Sequence, residues 1–470
     1  FYSRTSGLSD TPTQINSPGV PVRILNNPDT PVPEVHLLSN GRYHVMITNA
    51  GGGYSKWKDI AVTRWREDTT RDNWGTFCYI HDESSGEFWS TTHQPTLKRS
   101  KNYEAIFSEG LAEFRRQDQN FDMHTEIVVS PEDDIELRRI HLTNRSRTRR
   151  TIDITSYAEV VLATSASDNL HPAFSNLFVQ TEIIQERHAI LCNRRPRSMD
   201  EKTPLMFHMM VVRGVNIEKI SFETDRRQFI GRGNTTANPQ VMNDFTALSG
   251  SQGSVLDPIV AIRYHITLEP EETATVDMIM GIAENRQAAL DLVDKYHDRR
   301  LANRIFKLAW THSQVTLRQI NAIEVDAQLY GRIASSILFG NAFLRTDPSV
   351  IIKNRRGQSG LWGYSISGDL PIVLLQIENP DNINLVRRLV QAHSYWRLKG
   401  LPVDLVIWNE DHAGYRQLLQ EQIMSLISAG IEANLIDRPG GIFVRQADQI
   451  SNEDRILFQT VARGIISDQR

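Results

Sequence analysis

The sequence predicts a multidomain β plus α/β protein: a large antiparallel β-sandwich, a helical linker, and a small α/β domain with a mostly parallel sheet. Three observations carry this prediction. Short segments that alternate apolar and polar residues recur between turn signals from about Glu34 to Asn285. At Glu284 the apolar period lengthens to that of helices. From about Gly357, apolar strands alternate with helical stripes. The expected boundaries are 1–33 for an extended lead-in, 34–285 for the sandwich, 286–356 for the linker and 357–470 for the α/β domain.

The lead-in is rich in Ser, Thr, Asn and Pro and ends Pro31-Val32-Pro33, which favours an extended chain. In the sandwich, Thr151 to Ala158 and Ala261 to Leu268 each alternate as half-buried strands do, and Asn40-Gly41, Ser85-Gly86, Ser130-Pro131 and Glu269-Pro270 supply turns. Many such strands over 250 residues call for two stacked antiparallel sheets. In the linker, Leu301, Ile305, Leu308, His312 and Val315 form one helical stripe, and Leu329, Ile333 and Ile337 another. His312 reads as a core or boundary histidine. In the last domain, Asp369 to Leu375, Val403 to Trp408, Ile442 to Val444 and Gly464 to Ser467 read as strands. Leu385, Leu389, Ala392 and Trp396 mark one helix; Leu419, Ile423 and Leu426 mark the next. Ser451 and Asp454 resemble a capping box opening a third.

Composition narrows the function classes. The net charge is −4, which gives no electrostatic case for a nucleic-acid partner. The basic run Arg145 to Arg150 reads as a solvated turn. Cys78 and Cys192 can build neither a metal cluster nor a disulfide framework, and a reducing compartment is expected. No run of ~18 apolar residues is present, so no direct membrane span is expected. The chain opens Phe1-Tyr2-Ser3-Arg4 without a signal-peptide pattern or an initiator Met, and reads as a piece of something longer.

The densest chemistry lies in Gly51-Gly52-Gly53-Tyr54-Ser55-Lys56-Trp57, continued by Arg64-Trp65-Arg66-Glu67-Asp68 and by Asp72-Asn73-Trp74. Indole and phenol faces stack on pyranose rings, while charged planar groups hydrogen-bond to hydroxyls. Tyr54, Trp57, Arg64, Arg66 and Trp74 are therefore candidate carbohydrate-binding residues; the alternative is a long loop that plugs a sheet edge. A second candidate pair, Trp362 and Tyr364, follows the basic run Lys353 to Arg356, either as platforms or in a loop docking the α/β domain on the sandwich. Trp408-Asn409-Glu410-Asp411-His412 stands at the carboxyl end of an expected parallel strand, where ligands commonly sit. Neither the triple glycine nor Gly231-Arg232-Gly233 has the spacing of a phosphate or dinucleotide loop, and no metal motif occurs, so no cofactor and no metal are expected.

Gly41-Arg42-Tyr43-His44-Val45-Met46, the Gly51 to Trp74 block, Glu223 through Gly233 and Gly360 through Pro371 together resemble the cyclic β-1,2-glucan synthases. The resemblance is to their glycoside hydrolase family 94 region, formerly glycosyltransferase family 36, and extends from about residue 34 over nearly the whole chain. It implies a large, membrane-embedded bacterial parent with a processive glucosyltransferase part, and a soluble segment on the cytoplasmic side of the inner membrane. It further implies kinship with inverting phosphorylases, in which phosphate attacks the anomeric carbon while an Asp protonates the leaving oxygen, an activity that in the synthases trims the glucan and sets its length. Those phosphorylases carry the acid in an Asp-Trp-Asn-Asp type motif within an (α/α)6 barrel. That motif is missing here; Trp408-Asn409-Glu410-Asp411 lacks the preceding Asp.

Two functions follow as expectations. One is a carbohydrate-binding and scaffolding segment whose partners are β-1,2-glucan or an oligosaccharide and the rest of the parent synthase. The other is a glycan phosphorylase or transglycosylase with acids drawn from Asp68, Asp369, Glu410 or Asp411. A third reading makes the α/β unit a nucleotide or phosphate binder.

Overall fold

A computed structural model describes residues 21–412 and 416–469, with 416 and 417 described by backbone alone. Two nine-stranded sheets stack face to face. The first runs in the order Arg23–Leu25, Lys101–Ser108, Leu111–Asp118, Phe121–Val129, Ile135–Asn144, Thr273–Ala283, Leu205–Arg213, Ala189–Arg194, Val179–Ile184. The second runs Asn216–Asp225, Pro258–Leu268, Arg150–Ala163, Ile60–Thr63, Gly53–Trp57, Tyr43–Thr48, Val35–Ser39. Its remaining strands are Phe77–Asp82, beside the long strand Arg150–Ala163, and Phe88–Ser90 beyond it. The two segments singled out by alternation pair with each other, Thr151 opposite Thr267 and Ile154 opposite Tyr264. Alternate residues such as Phe121, Met123 and Ile127 face between the sheets, where they form the largest core with Ile152, Ile154, Ile262 and Ile266.

The lead-in expectation covers two different situations. Residues 1–20 lie outside the described residues. Arg23–Leu25 is an edge strand, with Ile24 paired to Ile106. The Arg23 guanidinium is buried and donates to the Val35 carbonyl at 2.7 Å and to Gln328 Oε1 at 2.8 Å.

Helices Arg286–His297 and Arg299–Gln319 cover the outer face of the first sheet; Leu290, Val293, Ile305 and Ala309 pack on Leu137, Phe207 and Ile279. The stripe expected on the longer helix is one position out of phase. Val315 is exposed, Leu301, Leu308 and His312 are partly buried, and the packed face runs through Ala302, Ile305, Ala309, Ser313 and Leu317. In helix Glu324–Leu338, Leu329 is likewise exposed while Ala327, Tyr330, Ala334 and Ile337 are buried. Close approach explains both: small residues let the first helix sit against the Gly110 turn and the second against the Arg23 side chain. A Cβ on Gly110 would come within 3.1 Å of Ser313 Cβ, and one on Gly331 within 2.7 Å of Arg23. Larger apolar residues consequently sit at the rims.

The last unit has four parallel strands in the order Ile442–Gln446, Asp404–Asn409, Ile372–Ile377, Gly464–Ser467. Helices Ile383–Leu398 and Arg416–Ser428 pack on one face, and Asn452–Val461, N-capped by the Ser451 side chain, on the other. Leu389, Ala392 and Trp396 are buried as their spacing predicts, while Leu385 is partly buried. This unit shares a core with the sandwich, in which Val35, Leu37, Met46 and Tyr54 meet Tyr330, Phe339, Trp396 and Leu405. Buried charge adds to the joint: Lys399 Nζ lies 2.7 Å from Glu109 Oε1, and the Tyr395 hydroxyl donates to the other carboxylate oxygen at 3.0 Å.

Candidate functional site

The outer face of the second sheet carries the most developed polar constellation. Tyr157 and Glu159, two apart on one strand, project to the same face. The segment after strand Asn216–Asp225 folds back over them: Asp225 caps helix Arg226–Ile230, and Phe229 and Ile230 pack with Tyr79 and Tyr157. At the far end, helices Ser165–Leu170 and Pro172–Asn176 bring in Asp168 and Asn176.

Arg64 sits at the centre, 6% exposed. It contacts Asp168 through two bonds of 3.0 and 2.9 Å, Glu159 at 3.1 Å and Asn176 at 2.8 Å. Burial alone would lower this guanidinium, but Asp168 and Glu159 outweigh it and hold Arg64 above its ordinary value. Arg226 lies 3.3 Å from Glu159 and 3.4 Å from Asp257; the same competition, won by Glu159, Tyr157 and Asp257, raises it. The Tyr157 hydroxyl is buried, and burial followed by the Glu159 charge pushes it well above its ordinary value. Arg66 borders the group, with NH2 3.7 Å from Asp168, 38% of its side chain exposed, and its guanidinium 5.6 Å from the Trp74 ring centroid. Trp74 is half-buried, and its carbonyl accepts the Gly53 amide at 2.8 Å.

Three arginines thus balance Glu159, Asp168 and Asp257. At the rim Arg66 and Arg226 are part-exposed, and the Arg66 guanidinium lies over the Trp74 indole. Such a rim suits a neutral, hydroxyl-bearing ring, because the indole takes a C–H face and the guanidinium donates to hydroxyl oxygens.

The candidate residues read from the sequence separate into groups. Arg64, Arg66 and Trp74 come together here. Tyr54 is 9% exposed and edge-on to Trp65 at 5.7 Å, and Trp65 is edge-on to Phe339 at 5.8 Å, so these rings lie in the joint with the α/β unit. Trp57 donates its indole N–H to Asp134 at 2.8 Å, and Lys58 Nζ stands 4.3 Å from its ring centroid. Trp362 is 63% exposed and donates to the Ser367 carbonyl. Tyr364 packs edge-on against Phe458 and donates to Asp454 at 2.7 Å, so its loop packs on the α/β unit itself. Glu159, Asp168, Asn176 and Asp257 escaped sequence reasoning, while Arg226 falls within the Glu223 to Gly233 stretch that carries the resemblance without being singled out there. Of these, Glu159 left a signal, as an acid directly before the apolar run Val160-Val161-Leu162 on a strand that continues to Ala163.

Asp369 and Glu410 do not pair. Asp68 caps its own turn at Thr70 and Arg71. Asp369 precedes one parallel strand and Glu410 follows its neighbour, so they stand at opposite sheet ends, roughly 20 Å apart for six residues of strand. Carboxyl pairs that cleave glycosides stand within about 10 Å. Glu410 is bound by Arg455 at 2.5 Å. Where the strand order reverses, beside Ile377 and Ser467, the backbone amides of Glu378 and Asn379 already bind the Asp468 carboxylate at 2.9 to 3.2 Å. An anion from solution would have to displace that carboxylate.

Residues 19–299 match the family model described as glycosyl hydrolase 94, supersandwich domain. The chain is 32% identical over 456 residues to the cyclic beta-(1,2)-glucan synthase NdvB of Rhizobium meliloti (strain 1021), covering 95% of this chain and 16% of that protein. It is 25% identical to the N,N'-diacetylchitobiose phosphorylase of Vibrio furnissii, covering 58% of this chain and 34% of that one. It is 23% identical to a solabiose phosphorylase of Paenibacillus borealis, covering 58% and 35%. The chain therefore spans about a sixth to a third of the curated relatives it matches.

Proposed function

Because the chain belongs to the glycosyl hydrolase 94 supersandwich family, we propose that it is a carbohydrate-binding and scaffolding segment of a bacterial cyclic β-1,2-glucan synthase. It holds glucan against the outer face of the second sheet while other parts of the parent chain build and shorten it. The observation that carries this is the Arg66–Trp74 rim on a charge-balanced floor. Equal charge offers a polyanion nothing, and a stacked indole and guanidinium match a glucose ring. The parent's localisation at the inner membrane belongs to the same proposal. Among the described residues no helix is long and apolar enough to cross a membrane.

The test is calorimetric titration of the chain with linear β-1,2-glucan. Trp74→Ala is expected to weaken binding about tenfold, the loss of one stacked ring. Trp57→Ala, whose indole N–H is held by Asp134, serves as the matched control. Equal losses in both variants would refute the assignment to this rim. Release of glucose 1-phosphate by the chain alone would refute the non-catalytic reading and favour a phosphorylase.

A further inference from the structure

A cleft opens where the chain passes from strand Phe88–Ser90 of the second sheet to Lys101–Ser108 of the first. Its two lobes, about 520 and 600 Å3, meet at Arg99 and Ser100. Each falls within the ~300–1,000 Å3 of small-ligand sites.

The walls are built with care for shape. One buried guanidinium, Arg116, fixes the connecting loop at both ends, donating to the Thr92 carbonyl at 2.7 Å and the Lys98 carbonyl at 2.9 Å. Asp118 holds Arg116 in turn through two bonds of 2.7 and 2.8 Å. The ladder slips between Lys101 and Glu104, a β-bulge that places Asn102 at φ 58°. Leu97 is also left-handed, at φ 58°. Such strain is retained where the surroundings fix it, often beside binding sites.

Part of the lining is uncommitted. The Ser100 hydroxyl, at the junction of the lobes, is buried and has no hydrogen-bond partner among the described residues. Among the described residues the side chains of Asn26, Lys101 and Asn102 form no hydrogen bond or ion pair. The charged groups are mostly paired, Lys98 with Glu87 at 3.6 Å, Arg99 with Asp29 and Asp118 with Arg116. Balanced charge disfavours a polyanion, while amides, a hydroxyl and mixed charges both donate and accept. A ligand rich in hydroxyls uses both roles at every position.

We infer that this cleft is a second saccharide site, taking an uncharged oligosaccharide that runs across Ser100 from one lobe to the other. It shares no residue with the Arg66–Trp74 rim, and depends on the proposed function only for the choice of probe.

Hydrogen exchange read by mass spectrometry in millimolar linear β-1,2-glucan tests it. Exchange over 97–104 and 117–120 is expected to slow several-fold. Ser100→Phe with Lys101→Glu, checked for an unchanged melting curve, removes that protection and leaves protection over 64–76. Protection over 64–76 alone overturns this inference and spares the rim; protection at the cleft alone does the reverse. Protection of the cleft by inorganic phosphate but not by glucan also overturns it. No protection anywhere at saturating glucan overturns both.

Discussion

Lys399→Met removes the cation that locks the α/β unit onto the sandwich. In the native protein the Lys399 and Glu109 side chains are 4% and 2% exposed, and both Glu109 oxygens are used, by Lys399 and by Tyr395. Methionine fills nearly the same volume, so the loss is electrostatic. Glu109 keeps one hydroxyl donor and, among the described residues, loses its one cation within ion-pair distance. Breaking a buried pair in this way costs about 3–5 kcal/mol, because the remaining charge is still desolvated. Replacing all three members, with Glu109→Leu and Tyr395→Phe added, removes the stranded groups and should recover most of that loss, to within about 1–2 kcal/mol of the native protein. Urea unfolding followed by tryptophan fluorescence and far-UV circular dichroism measures this; Trp396, buried in the shared core, reports locally. A loss below about 1 kcal/mol for Lys399→Met is what a solvated surface pair would give, and would refute the buried interlock.

Three further outcomes follow from the structure. Burial pushes the Asp72 carboxyl up to about 7, opposed by the Thr48 hydroxyl that donates to it. Its folded value lies above the unfolded one, so its contribution is greatest below about pH 4, declines as pH rises to 7 and is level above. Asp72→Asn should therefore exceed the native protein at pH 8 by on the order of 2 kcal/mol, and a pH-independent difference in melting would count against it. Gly53 stands at φ 149°, where a Cβ would lie 1.8 Å from the Met46 carbonyl oxygen, so Gly53→Ala should cost more than about 3 kcal/mol or prevent folding; a near-native melting temperature would show the turn can relax. Trp65→Ala empties the ring position between Tyr54 and Phe339, with an expected loss of about 2–4 kcal/mol and earlier proteolysis between the sandwich and the α/β unit.

Strand and helix identity was legible in the sequence because it rests on local periods. Thr151 to Ala158 and Ala261 to Leu268 show period two and form paired strands, and Leu389, Ala392 and Trp396 mark the buried side of their helix. The helix face after Arg299 was not legible, since Ala302, Ala309 and Ser313 are buried by the closeness of another element rather than by their own hydrophobicity.

The sequence alone determined the fold class, the balance of charge, and the clustering of aromatic and charged residues between Gly51 and Trp74. Only the tertiary structure decided which of those residues face solvent. Arg64 and Arg66 are two apart on one stretch of chain, yet one is sealed among Asp168, Glu159 and Asn176 while the other remains at the rim. Their partners come from 95 to 112 positions away, and no local period encodes which distant carboxylate will desolvate a given guanidinium.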